Sequence, residues 1–355
     1  MKNIAFYISD HGFGHASRNI PIIRYILEDK NDVKIYIITG IKQGEFIKES
    51  LCDIYNFNNL RFRLINTDLG LTLKKNSLDI DKEKLNEEVR DYLNSWDYRI
   101  KLEKEFLIDK KIELIISDIV PWVFKCSEEL NIRSVLISNF TWVDIYKEYL
   151  EEEICNQFRK CYKLASKVFL YSFYMDSVKE YINKYEKVGF VCREFNLNKA
   201  NIIKSKHDKP LIFVSVGRSV NLSLKIDVSN LKYNFIVTEG IRLTGDNVIY
   251  LPKETNNTQD YIKASDYVIT KAGWGTIAEC LIGNKKIAVL SRDNVAEDRW
   301  TIEQLIKNKL AIKVSYDCIN IEDIIRDLEA FNPNYEGINI KNDYKNIGDR
   351  LIDLL

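Results

Sequence analysis

The start of the chain most narrows what it can fold into. Residues 4–9 are an apolar run, Asp10-His11-Gly12-Phe13-Gly14-His15 is a loop punctuated by glycine, and residues 16–27 have helical spacing. A strand, a tight loop and a helix N-terminus in that order make an anion site. The first-turn amides have no partner within the helix, and the helix dipole favours negative charge there. His11 and His15, two of only three histidines in the chain, lie in this loop. Imidazole titrates near neutrality, so the segment predicts chemistry on a phosphorylated ligand.

Composition sets the frame for that expectation. The 355 residues, 46% of them hydrophobic, suffice for two globular domains with proper cores. Lysine plus arginine equals aspartate plus glutamate at 52 each. No global field therefore recruits nucleic acid or an acidic membrane, and any anion must be held locally. The seven cysteines, Cys52, Cys126, Cys155, Cys161, Cys192, Cys280 and Cys318, form no CxxC pair. An odd, scattered set is the pattern of reduced, mostly buried thiols in a cytosolic protein. Residues 1–20 carry a strand and a polar loop rather than a signal peptide, and no run approaches the roughly 18 apolar residues of a membrane span. The expected location is cytoplasmic, with any membrane contact peripheral.

Short β-rich runs at 4–9, 33–39, 62–66, 114–117, 134–138 and 168–171 alternate with amphipathic helical patterns. Such alternation predicts βαβ units around a parallel sheet. It weakens through the charged, Asn-rich stretch 186–209 and restarts at 211–216, followed by Gly217-Arg218-Ser219. Further strands are expected at 234–238, 247–251, 267–270, 286–290 and 312–314. The domain reading is 1–188, 189–340, and a C-terminal helix at 341–355. Residues 79–106, highly charged with helical spacing, read as a solvated arm or hairpin.

The second half has its own constellation, Thr270-Lys271-Ala272-Gly273-Trp274-Gly275-Thr276-Ile277-Ala278-Glu279. A strand ends at Thr270, glycines admit a close ligand, Thr276 can cap, and a helix carrying Glu279 follows. Free amides and the dipole suit a diphosphate, and Glu279 is placed to accept from two ribose hydroxyls. Two α/β domains, each with a glycine-rich turn from strand to helix, predict a ligand in the cleft between them, at the carboxyl ends of both sheets.

The strings HGFGHASR (11–18), SDIVPW (117–122), SNFTWVDIY (138–146) and SDYVITKAGWGTIAECL (265–281) carry a resemblance. They resemble the glycosyltransferase-like amino-terminal half of plant-type L-arabinokinases and its stand-alone bacterial relatives. More distantly, the chain is similar to MurG, the GlcNAc transferase of peptidoglycan synthesis, and to the UDP-sugar hydrolase of pseudaminic acid synthesis. The resemblance implies the GT-B architecture, α/β with two facing Rossmann-like domains. It covers residues 4 to about 310, and, with 355 residues, the arabinokinases' kinase activity is not expected to carry over.

Residue by residue, the resemblance places Gly12, Gly14 and His15 beside the diphosphate and the sugar's anomeric carbon, with Gly217, Arg218 and Ser219 facing them. It places Leu251 at the nucleobase, and Lys271, Gly273, Trp274, Gly275, Thr276 and Glu279 at the phosphates and ribose. Glu297, Asp298 and Arg299 fall where relatives hold the donor sugar. The loop at 10–15 is less glycine-rich than in MurG, and the paired glutamines of MurG's donor-sugar segment are missing, so the sugar is not named.

The expected reaction is inverting transfer of a sugar from a nucleotide-sugar, of UDP type, to a hydroxyl acceptor the sequence does not identify. A nucleotide-sugar hydrolase using water and a sugar-nucleotide binding module without turnover are the alternatives. Either His15 is the base, or it donates to phosphate while Asp118 or Asp144 is the base. His11 is either a capping residue or a ligand contact, and Arg18 reads as an ion-pair residue rather than a phosphate clamp. His11, Asp118, Asn139 and Trp142 are the acceptor candidates, with Trp122 and Trp142 as a possible aromatic wall against a pyranose. The only D-x-D, Asp79-Ile80-Asp81, has no strand before it; with backbone amides and helix dipoles for the leaving group, no metal and no cofactor are expected.

Overall fold

The apolar runs become strands of separate parallel sheets in the computed structural model, which describes residues 2–30, 32–54, 59–74, 79–216, 225–291, 295–316 and 319–355. The chain divides into two compact units, Met1–Val191 with Asn342–Leu355, and Cys192–Lys341.

The first unit opens with β1 (Lys2–Ile8), α1 (Gly14–Asp29), β2 (Val33–Thr39), α2 (Ile41–Ser50) and β3 (Leu60–Leu64). Two helices follow, α3 (Lys82–Asn94) and α4 (Trp96–Asp109). Then come β4 (Leu114–Asp118), α5 (Val123–Leu130), β5 (Arg133–Ser138), α6 (Trp142–Tyr146), α7 (Glu152–Tyr162), β6 (Lys167–Leu170) and β7 (Glu186–Lys187). The sheet order is β3-β2-β1-β4-β5-β6-β7, with every pairing parallel. Ile4 to Ile8 and Leu114 to Asp118 are buried throughout. Helices cover both faces of a parallel sheet, which is why its central strands read as unbroken apolar runs rather than alternating ones.

The second unit contains α8 (Leu197–Ser205), β8 (Leu211–Ser215), β9 (Lys225–Asp227), β10 (Asn234–Val237), β11 (Arg242–Thr244) and β12 (Val248–Tyr250). It continues with α9 (Thr258–Ala264), β13 (Tyr267–Lys271), α10 (Trp274–Ile282), β14 (Lys286–Ser291), α11 (Ala296–Lys307), β15 (Ala311–Ser315) and α12 (Ile321–Ala330). Its parallel sheet runs β12-β10-β8-β13-β14-β15, and β9 pairs with β11 apart from it. These last two strands, of three residues each, are too short to leave a periodic signal.

The charged segment 79–106 departs from its expected form. Rather than a solvated arm, α3 and α4 bury Leu85, Val89, Trp96, Ile100 and Leu107. Glu103 of α4 is buried too, held by Tyr7 Oη at 2.6 Å and by Arg63. Charge on the outer faces masked an apolar inner stripe.

The final helix, α13 (Tyr344–Ile352), packs on α1 of the first unit. Tyr344, Ile347 and Leu351 are buried, and Tyr25 Oη donates to Asp349 Oδ1 at 2.7 Å. Gly348 lies so close to the Tyr25 ring that a Cβ would collide with it. Among the described residues no helix is long and apolar enough to cross a membrane.

Candidate active site

The first sheet's order reverses between β1 and β4, which pair with Ile8 opposite Asp118. In open parallel sheets, ligands bind beyond the carboxyl ends of the strands at such a reversal. The turn after β1 delivers His15 to this place, and Asp118 is the last residue of β4. Helix α1 begins at Gly14, two residues earlier than its spacing predicts, so His15 lies in its first turn with Arg18 and Asn19 three and four residues on. That spacing puts all three on one face.

Asp118 is fully buried and saturated. Its Oδ1 accepts from His15 Nδ1 at 2.8 Å and from Arg18 Nη2. Its Oδ2 accepts from Arg18 Nε and Asn19 Nδ2, each at 2.7 Å. Burial alone would raise this carboxyl, but the Arg18 guanidinium and then His15 hold it at about 2. It is therefore a carboxylate, which can only accept. Arg18 Nη2 also lies 2.9 Å from His15 Nδ1. An unprotonated Nδ1 would turn its lone pair on the carboxylate, so the proton belongs on Nδ1 and the lone pair on Nε2. Among the described residues no hydrogen bond engages Nε2.

This arrangement bears on the expected bases. Asp118, predicted as base or acceptor contact, has no exposed surface and no spare lone pair. Asn139, predicted to meet the acceptor, is buried, with its Oδ1 accepting from Arg18 Nη1 at 2.6 Å. Asp144 is the N3 residue of a capping box at the start of α6, accepting from Thr141 N, Ser177 Oγ and Tyr181 Oη at 2.7, 2.5 and 3.1 Å. Burial pushes its carboxyl up. All three are held by the scaffold, and among the described residues Nε2 of His15 is the ring nitrogen that takes no hydrogen bond. Arg18 is the ion-pair residue its position in α1 predicts, and Asn19 carries a role the sequence reading missed, although its spacing from His15 signals it.

The loop itself is firmly held. Gly12 adopts φ +80°, where a side chain is strained, and a Cβ on Gly14 would meet no atom within 4 Å. Among the described residues no neighbouring atom explains glycine at position 14, and the space beside it is open. Gln43 Nε2 donates to the carbonyls of Asp10 at 2.7 Å and Gly12 at 3.1 Å. Helix α1 has Phe13 as N-cap, with no side-chain cap and no acidic residue in its first turn.

His11 is exposed, edge-on to Trp142, and packed so tightly against Gly70 that a Cβ there would strike its ring. The Asp10 amide donates to Asp68 Oδ1 at 3.1 Å, and Trp142 Nε1 donates to Asp68 Oδ2 at 2.8 Å. Burial, and then Asp10, push the Asp68 carboxyl well above the usual range.

The two tryptophans depart from the expected sugar wall. Trp122 is fully buried, its Nε1 on the Thr67 carbonyl at 2.8 Å and its ring edge-on to Tyr7. Trp142 is 2% exposed and stacks on Tyr146. Their indole N–H groups fasten the 66–70 loop beside the site, leaving no open ring face for a pyranose.

The second sheet reverses between β8 and β13. Beyond β8, Gly217, Arg218 and Ser219 lie outside the described residues. Beyond β13, Gly273 is the N-cap of α10 and no side chain caps the helix. Thr276, expected to cap, is the third residue inside the helix and too far along to do so. Gly273, Gly275 and Thr276 are partly exposed, Lys271 passes beside Gly273, and Trp274 is buried. Glu279 is 3% exposed; its Oε1 accepts from Arg193 Nε at 3.1 Å and Nη2 at 2.8 Å.

The Leu251 amide donates to the Val237 carbonyl at 2.9 Å. Glu297, Asp298 and Arg299 form the first turn of α11, with Asp298 buried and the other two partly exposed. Among the described residues no three His, Cys, Asp or Glu side chains group as a metal site.

Residues 194–348 match the glycosyltransferase family 28 C-terminal domain. L-arabinokinase of Arabidopsis thaliana is 26% identical over 311 residues, covering 83% of this chain, while the chain spans only 28% of that protein's length. The calicheamicin glycosyltransferase CalG4 aligns with TM-score 0.69 at 11% identity, covering 100% of this chain and 98% of CalG4. Arabidopsis thaliana UGT89C1 complexed with UDP aligns with TM-score 0.64 at 13% identity, covering 100% of both chains. The complex of the same protein with UDP-L-rhamnose gives 0.65 at 13% identity, covering 99% of this chain and 94% of the other. The two Rossmann-like units are thus those of the GT-B fold.

Proposed function

From a GT-B chain whose residues 194–348 match the glycosyltransferase family 28 C-terminal domain, we propose a glycosyltransferase that moves a sugar from a nucleotide-sugar, of UDP type, to a hydroxyl acceptor with inversion. The observation that carries this reading is the His15–Asp118 pair at the reversal of the first sheet, with Nε2 of His15 open.

In the proposed step an acceptor hydroxyl attacks the sugar's anomeric carbon and its proton passes to His15 Nε2. The bond from that carbon to the phosphate oxygen breaks, and its electron pair leaves with the nucleoside diphosphate. Asp118, already neutralised by Arg18, fixes the ring and its tautomer rather than setting a net negative charge against the imidazolium. The uncapped N-terminus of α10 is the proposed seat of the departing charge. The reading assigns no role to a metal, and turnover should survive a chelator.

Thermal unfolding with UDP, GDP, dTDP and CDP in turn tests the donor class. A ligand at 100 times its Kd adds about 2.7 kcal/mol to the folded state. The reading expects the largest rise with UDP; no rise with any of the four would overturn it. Donor consumption without any acceptor would instead identify water as the acceptor.

A further inference from the structure

We propose that Arg193 is a positioning residue that makes the second unit discriminate a ribose from a 2′-deoxyribose. This rests on the nucleotide-sugar reading above and adds to it a residue outside both glycine-rich turns. Arg193 is 8% exposed, and each of its three guanidinium nitrogens is engaged. Nη1 donates to the Asn256 carbonyl, and Nη2 donates to Thr258 Oγ1 at 3.0 Å, which ties the group to the start of α9. Nε and Nη2 both donate to one oxygen of Glu279, Oε1.

That side-on grip has two consequences. The ion pair commits Oε1 of Glu279 as the acceptor of two guanidinium N–H groups. The other oxygen, Oε2, takes no hydrogen bond among the described residues, on a side chain only 3% exposed. An open acceptor on an otherwise buried side chain, on the helix whose N-terminus is the proposed seat of a diphosphate, suits a ligand with a hydroxyl donor that reaches it. The vicinal 2′- and 3′-hydroxyls of a ribonucleotide meet the need; a 2′-deoxyribose has lost one of the two. A guanidinium fixed at three points holds the carboxylate in one rotamer, so discrimination belongs to the pair and not to Glu279 alone.

The experiment is calorimetric titration of the full chain with UDP and with 2′-deoxy-UDP, for wild type, Arg193→Lys, Arg193→Met and Glu279→Gln. Wild type should prefer UDP by roughly ten- to hundred-fold, the range for a hydrogen bond to a charged group. Arg193→Met and Glu279→Gln should bring the two affinities within about threefold of each other, mainly by weakening UDP. Arg193→Lys, with a cation but no fork, should fall between. A purely structural arginine would lower affinity for both nucleotides alike and leave their ratio unchanged, which would overturn the proposal. Should Arg193→Met fail to fold, an undiminished ratio in Arg193→Lys does the same. UDP bound with no preference in wild type refutes this inference alone, whereas no binding of either nucleotide refutes the donor reading beneath it.

Discussion

Nδ1 of His15 lies 2.8 Å from Oδ1 of Asp118, joining the first turn of the helix after β1 to the last residue of β4. The pairing of β1 with β4 makes this contact possible across a separation of 103 residues. Arg18 then decides what the pair can do, because it neutralises the carboxylate while leaving the outer imidazole nitrogen open.

Replacing His15 with Ala should remove the proton acceptor and lower turnover by roughly 10²- to 10⁴-fold. Nucleotide affinity should stay within about twofold of wild type, since the proposed nucleotide contacts lie in the second unit. Steady-state rates alongside a UDP titration separate the two effects.

Asp118→Asn should damage both fold and rate. It leaves the guanidinium of Arg18, 3% exposed, without its counter-charge, a change that costs about 3 to 5 kcal/mol at a buried pair. Turnover should fall by about tenfold or more through loss of the fixed tautomer, though less than in His15→Ala. Urea unfolding and single-turnover rates check each half.

The same carboxylate shapes the acid limb of stability. Its folded pKa of about 2 lies below the unfolded value of about 3.9. The resulting stability is fully present above about pH 4 and is lost as pH falls through about 2, a change of about 2 to 3 kcal/mol. Thermal midpoints between pH 5 and 2 should fall more steeply for wild type than for Asp118→Asn. Parallel curves would show that Asp118 is not the group responsible.

Helix α13 should be part of the first unit's core rather than a dispensable tail. Leu351→Ala removes a fully buried side chain and should cost about 2 to 5 kcal/mol. Trp96→Ala, in the α3–α4 segment, should cost about 3 to 5 kcal/mol. Changes under about 0.5 kcal/mol in either, measured by chemical denaturation, would mean that the helix in question is not packed as described.

Much of this was legible in the chain because local physics wrote it there. Buried parallel strands appear as apolar runs such as 4–9 and 267–270, and the turns after β1 and β13 announce themselves through glycine. What stayed hidden depends on distant pairing. Nothing around Asp118 reveals that Arg18 and Asn19 saturate it, because that requires β1 and β4 to be neighbours. Trp122 and Trp142 follow strand ends and read as ligand surface, yet their N–H groups find partners in the 66–70 loop, far away in sequence. Arg193 sits in a stretch without periodicity, and its bond to Glu279 spans 86 residues. The α3–α4 pair reads as a solvated segment because surface charge outnumbers the few apolar positions it buries.

The most direct test of the central claim is release of UDP from a panel of UDP-sugars, followed with wild type and His15→Ala at equal UDP occupancy. The account predicts release by wild type from at least one sugar, lowered by at least about 10²-fold in the variant. Release that proceeds equally well without the His15 imidazole would contradict it.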